Sequence, residues 1–192
     1  PPAVTSAGQV LFHRADGEVV DLTALGEDQL RRYRWDSLSI VMQSAMASLN
    51  PVMRLDTQFI DVIMEHDRSM TKSAARERAG ELLEMVGIPA TRLRSYSYQL
   101  SGGMQQRALI ALSLASNPEV VFMDEPTTAV DVVMQRQILT QILQLQAALG
   151  FAIVFVTHDL SLLLEISDRI AIMYAGRVVE IGMPEQLYSA RT

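Results

Sequence analysis

Short apolar runs that end abruptly in polar side chains recur along this chain. Leu38–Met42 stops at Gln43, Val120–Met123 at Asp124-Glu125-Pro126, and Ile153–Val156 at Thr157-His158-Asp159. The second reads as a fully buried strand of a parallel sheet, and the third as a further buried strand. Between them the apolar period becomes helical. Met104–Ala115 is apolar or small on nearly every side and free of Gly and Pro, which predicts a buried helix starting at Gly102-Gly103. Phe59, Ile60, Ile63 and Met64 fall at helical spacing within Asp56–Glu65. Lys72–Val86 carries the stripe Leu82, Leu83, Val86, with Thr71 as its cap and Gly87 and Pro89 as its stop. Val132–Leu149 is a further helix, begun by Asp131 and ended by Gly150.

The flanks are simpler. Val10–Phe12 and Val19–Leu22, joined by the turn Ala15-Asp16-Gly17, predict a short antiparallel pair. Glu27–Arg34 predicts a short charged helix in which Arg31, Arg32 and Arg34 make a solvated face rather than a phosphate site. Ile170–Met173 and Val178–Ile181, joined by Ala175-Gly176-Arg177, are the closing strands, and Pro184 opens a last helix.

The polar ends of the runs carry the candidate chemistry, because ligands of parallel sheets bind at the carboxyl ends of the strands. Asp124 and Glu125 stand at such an end. Two neighbouring acids there suit a Mg²⁺ partner and a water-polarising base beside a nucleotide phosphate. Gln43 offers both an amide donor and a carbonyl acceptor at another strand end. Ser101-Gly102-Gly103 opens a helix whose unpaired N–H groups suit an anion, and the Ser101 hydroxyl either caps that helix or donates to the anion. An ordinary Ser-Gly-Gly turn before a core helix is the plainer reading of those three residues alone.

Composition narrows the class. The 192 residues make one domain, with or without a small subdomain, and suffice for a real core. Cysteine is absent, so neither disulfides nor thiolate metal sites form. The net charge of −6 argues against general nucleic-acid binding. No apolar run approaches the roughly 18 residues of a membrane span, and no signal peptide is visible. A membrane role therefore requires docking to a partner that spans the bilayer.

Taken in order, Leu100–Arg107, Val120–Glu125, Ala129-Val130-Asp131 and His158 resemble the signature motif, the Walker B strand, the D-loop and the switch histidine of ATP-binding cassette (ABC) transporter ATPases. Gln43 resembles the Q-loop glutamine, and Ser48-Leu49-Asn50-Pro51 resembles the oligopeptide and dipeptide importers. Val130 departs mildly from the Leu found in many relatives. The resemblance implies an α/β fold: a P-loop NTPase-type core with a mostly parallel sheet, a small antiparallel β edge at 1–43, an α-helical subdomain at 44–100, and the rest of the core at 101–192. It implies ATP and Mg²⁺ as cofactors. Glu125 would polarise the attacking water, Asp124 would hold Mg²⁺, Gln43 would sense both, and His158 would steady the γ-phosphate. Ser101, Gly102, Gly103 and Gln105 would bind nucleotide held by a second ATPase subunit, with Asp131 at the dimer contact. The further partners implied are transmembrane permease subunits and, indirectly, an extracytoplasmic solute-binding protein, with the ATPase peripheral on the cytoplasmic side of the membrane. Met42, Met46, Met53 and Met64 would offer an adaptable docking surface or simply pack, and Tyr96 and Tyr98 would brace the signature loop or touch the partner.

One part is missing. The phosphate-cradling loop G-x-x-x-x-G-K-[ST] does not occur, and the sole lysine is Lys72. The expectation is a fragment lacking the N-terminal phosphate-loop strand and helix. Such a fragment would be inactive alone, would complete a site on an intact partner, and would have no ladder joining Ile153–Val156 to Ile170–Met173. Two other readings stand beside this one. A non-transport ABC ATPase for DNA repair or translation fits less well with the compact span of about 55 residues between Gln43 and Ser101. An interaction module with lost activity fits less well with the intact Glu125 and His158.

Overall fold

The computed structural model describes residues 7–34, 36–43, 48–127 and 131–189. The chain divides into two compact units, Pro1–Phe155 and Val156–Thr192.

The first unit opens with a hairpin of β1 (Leu11–His13) and β2 (Val19–Asp21), antiparallel with Phe12 opposite Val20. Phe12 is buried and meets the ring of Tyr33 edge-on, 6.2 Å between centroids. Tyr33 ends helix α1 (Glu27–Tyr33), whose acids stand in the first turn and arginines in the last, as the helix dipole favours.

The sheet that positions the candidate site has β3 (Leu38–Val41), β4 (Val120–Asp124) and β5 (Ala152–Val156), in that order. β3 and β4 are parallel, with Ser39 opposite Val121 and Val41 opposite Met123. Those four residues are buried on one face. On the other face Ile40 is 49% exposed, Phe122 38% and Val154 43%. This corrects the sequence reading, which expects β4 and β5 buried on both faces. Their side chains are apolar on both sides, and the described residues cover one.

Helices α2 (Leu55–His66) and α3 (Lys72–Met85) pack against each other through Phe59, Ile63, Ala79 and Leu82. Thr71 Oγ1 accepts from the Ala74 amide and caps α3. Its other end closes on Gly87, where φ is +69°: the Ile88 amide donates to the Leu83 carbonyl and the Gly87 amide to that of Glu84. This double bond pattern needs a left-handed residue, which is why the helix stops at a glycine. Helix α4 (Gly102–Ser113) is buried along most of its length, and α5 (Val132–Leu149) follows β4. Val41, Phe59, Leu82, Ile110, Met123 and Ile138 belong to a single apolar cluster, so helices and sheet share one core within this unit.

In the second unit Asp159 Oδ1 accepts from the Leu162 amide and caps α6 (Leu160–Ile166). β6 (Ile170–Tyr174) and β7 (Arg177–Gly182) then pair antiparallel around a turn in which Ala175 and Gly176 both have positive φ, as a tight hairpin requires. Helix α7 (Pro184–Ser189) follows. Among the described residues β5 and β6 belong to separate ladders.

Candidate functional site at the strand ends and helix starts

Parallel pairing decides where Gln43 and Glu125 meet. With Val41 opposite Met123, both strands leave the sheet at the same edge, and two residues further on Gln43 stands opposite Glu125. Gln43 Nε2 donates to Glu125 Oε2 over 2.9 Å, joining residues 82 positions apart. Glu125 holds a φ of +45°, in the left-handed region that side chains with a β-carbon avoid. Backbone strain of this kind, at a strand end and on a carboxylate, is typical of functional positions. Asp124, the last residue of β4, is half-buried beside it.

A second cluster forms at the start of α4. Ser101 Oγ accepts from the Met104 amide at 3.3 Å, so the hydroxyl caps the helix, one of the two roles foreseen for it. Gly102 and Gly103 form its first turn. Gln105, expected to bind nucleotide, directs its amide elsewhere: Nε2 donates to the carbonyls of Ser97 (3.0 Å) and Leu100 (3.2 Å), stapling the preceding loop to the helix. That loop also carries Tyr96 and Tyr98, stacked on each other 5.5 Å apart.

Two residues in this region had no role in the sequence reading. Arg107 donates through Nε to the Gly103 carbonyl (3.3 Å) and through Nη1 to those of Val86 (3.1 Å) and Gly87 (3.4 Å). It thereby ties the start of α4 to the end of α3, and burial holds its pKa below the ordinary guanidinium value. A cation at a helix C-terminus is favourable, and the four-residue spacing from Gly103 was the available signal. The other is Met134, whose side chain lies against Gly103. It stands one turn into α5, three residues from Asp131, which caps that helix: Oδ1 accepts from the amides of Val133 (3.1 Å) and Met134 (2.9 Å).

The structure thus brings Gln43 together with Glu125, and the Ser101–Gln105 turn together with the Asp131 cap. His158 belongs to the second unit, two residues past the end of β5 and next to Asp159. Ala129, Val130 and Met46 lie outside the described residues.

Among the described residues no group of three or more His, Cys, Asp or Glu side chains is arranged to hold a metal unaided. Mg²⁺ asks for less. It is held by one or two carboxylates together with substrate phosphates and water, a demand that the half-buried Asp124 carboxylate at the end of β4 fits. No described helix is long and apolar enough to cross a membrane.

The model of the family described as ABC transporter matches residues 6–128. The oligopeptide transport ATP-binding protein OppD of Bacillus subtilis is 40% identical over 190 residues, which is 98% of this chain and 51% of that protein. The dipeptide transport ATP-binding protein DppD of Lactococcus lactis is 41% identical over 94% of this chain and 51% of its own length. The chain therefore spans about half the length of these relatives. A dimeric structure described as MJ0796, a bacterial ABC transporter cassette, superposes with a TM-score of 0.79 at 28% identity, covering 93% of this chain and 74% of that one. The ATP-binding cassette MJ0796 in a post-hydrolysis state bound to ADP and Pi gives 0.75 at 29% identity, covering 86% and 70%.

Proposed function

The chain belongs to the ABC transporter family, and from that premise we propose that it acts in an ATP-hydrolysing subunit that energises import of peptides. The single observation that carries the reading is the Gln43–Glu125 hydrogen bond, which unites an amide and a carboxylate from two parallel strand ends. The peptide assignment rests on the relatives, of which two are named for oligopeptide and dipeptide transport.

In this reading two subunits pair head to tail. Ser101-Gly102-Gly103 of one faces ATP seated on the phosphate loop of the other, and the bare amides at the start of α4 meet the γ-phosphate. Glu125 polarises the attacking water on its own subunit's ATP. Gln43, already bonded to Glu125, orients that carboxylate and links it to the loop that follows β3. Asp124 would hold Mg²⁺, which would supply charge neutralisation to the nucleotide's phosphates. His158 steadies the γ-phosphate and Asp131 carries contact between the two sites. Catalysis of this type is positioning and charge stabilisation. The subunit works at the cytoplasmic face of the membrane, docked to permease subunits, and the solute is chosen by those partners.

These 192 residues contain no G-x-x-x-x-G-K-[ST] sequence and carry the Ser101-Gly102-Gly103 half of such a paired site. Mixing the chain with an intact homologous ATPase subunit tests this. The expected result is no turnover by the chain alone and a rise in the ATPase rate of the mixture above that of the intact subunit. No rise at any ratio, with the chain shown to be folded by circular dichroism, overturns the proposal.

A further inference from the structure

Gly103 is buried, whereas Gly102 before it is half-buried. What covers Gly103 is Met134. A β-carbon built on Gly103 would lie 3.0 Å from the Met134 sulfur, 3.1 Å from its Cγ and 3.3 Å from its Cε. Those distances fall inside the usual 3.5–4.0 Å separation of packed heavy atoms. Gly103 lies within α4 and is not among the glycines of positive φ, so its backbone is open to any residue. A side chain at 103 would require the thioether packed against it to give way by a few tenths of an ångström. The backbone of Met134 is anchored, since its amide donates to Asp131 Oδ1 at 2.9 Å. Asp131, Met134, Gly103 and the Ser101 cap form an unbroken chain of contacts between the starts of two helices.

We propose that Met134 is a positioning residue. It seats the start of α4 on the start of α5, so that Ser101-Gly102-Gly103 and Asp131 shift as one body within a subunit. The inference rests on the reading above, in which Ser101–Gly103 faces a phosphate on another subunit. It adds that the glycine at 103 serves an internal fit. An unbranched, polarisable side chain suits this task, since it can lie flat on a surface that presents only hydrogen. Because the two residues share one volume, a methyl added at 103 can be accommodated by shortening 134.

The test uses the 192-residue chain mixed with an intact homologous subunit, in four forms besides the wild type: Gly103→Ala, Met134→Ala, Met134→Leu and the double variant Gly103→Ala/Met134→Ala. Gly103→Ala and Met134→Ala should each lower kcat of the stimulated ATPase about tenfold, the scale of a sub-ångström misplacement. KM for ATP should stay within about twofold, because the phosphate loop of the other subunit holds most of the nucleotide. Met134→Leu, which nearly keeps the volume, should stay close to wild type. The double variant should recover to within about threefold of wild type. Melting temperatures of the chain alone provide a readout independent of nucleotide, and there the double variant should lose less than the sum of the two single losses. A double variant as slow as Gly103→Ala shows that the glycine is required by the nucleotide itself and overturns the proposal. Additive melting shifts, or a Met134→Ala variant with full kcat, overturn it as well. If the melting shifts couple but the wild-type chain stimulates nothing, the functional reading has failed, and Met134 is reduced to a packing residue.

Discussion

Gln43 and Glu125 are hydrogen-bonded at 2.9 Å because the β3–β4 register, with Val41 opposite Met123, brings together the residues two positions further along each strand. The pairing is thus a product of strand alignment. It would be lost if β3 slipped by one residue, which would also turn Val41 out of the core.

Glu125 should separate stability from activity. In a subunit that carries the phosphate loop on the same polypeptide, Glu125→Gln should keep ATP binding and lower turnover by roughly 100-fold or more, the usual scale for a lost general base. Glu125→Gly removes the left-handed cost of φ +45°, about 1 kcal/mol, and should raise the melting temperature while abolishing turnover. Opposite signs in calorimetry and in an ATPase assay identify strain kept for function; a Gly variant that melts lower contradicts it.

Asp56 holds the helical pair together. It is 4% exposed and accepts from Arg54 Nη2 at 2.7 Å and Arg76 Nη2 at 3.2 Å, the latter on α3. Asp56→Ala should cost about 1.5–2 kcal/mol, the scale of lost hydrogen bonds to a charged group whose two arginine partners are themselves partly exposed. Urea denaturation followed by circular dichroism measures it, and a cost under about 0.5 kcal/mol would place the pair among ordinary surface bridges.

The first hairpin should be acid-sensitive. The Thr23 hydroxyl, donating to Asp21 Oδ1 at 2.6 Å, is the main cause that holds the Asp21 carboxyl below its ordinary value, with the amides of Thr23 and Val10 and the side chain of Gln9 adding to it against desolvation. The folded pKa lies below the unfolded one. The stabilisation is therefore complete above the ordinary carboxylate range near pH 4 and is lost as pH falls through the lower folded value. Amide exchange at Val10 and Thr23 should accelerate in that window, and Asp21→Asn should remove the pH dependence.

Arg107 makes its bonds to carbonyls of two helices. Arg107→Met keeps the stem and deletes the donors. It should cost about 1–2 kcal/mol, the loss of hydrogen bonds to a charged group offset by relief of desolvation. A chemical-denaturation midpoint lowered at constant m-value checks it.

The elements were legible wherever a period or a stop residue declared them. Gly87 and Gly150 end their helices with φ of +69° and +76°, and Thr71, Ser101 and Asp131 cap theirs through side-chain oxygens. The Gln43–Glu125 bond was foreseen only as two strand ends of related chemistry, because register is a tertiary quantity that no local window contains. Gln105 was read for nucleotide from its place in the motif; that its Nε2 donates to the carbonyls of Ser97 and Leu100 was not legible, because their closeness depends on how the loop folds. Met134 escaped notice because one methionine among 11 carries no mark of what it touches. The one-sided burial of β4 and β5 was hidden for a different reason. Hydropathy records what a strand can bury and is blind to what lies against it.

Ile40, Phe122 and Val154 form an oily stripe on the outward face of the three-stranded sheet. Stripes of this kind recruit whatever greasy surface is nearby. In a concentrated solution of this chain the nearest such surface is another copy. Colloidal behaviour is therefore expected to depend on dilution and on mild detergents.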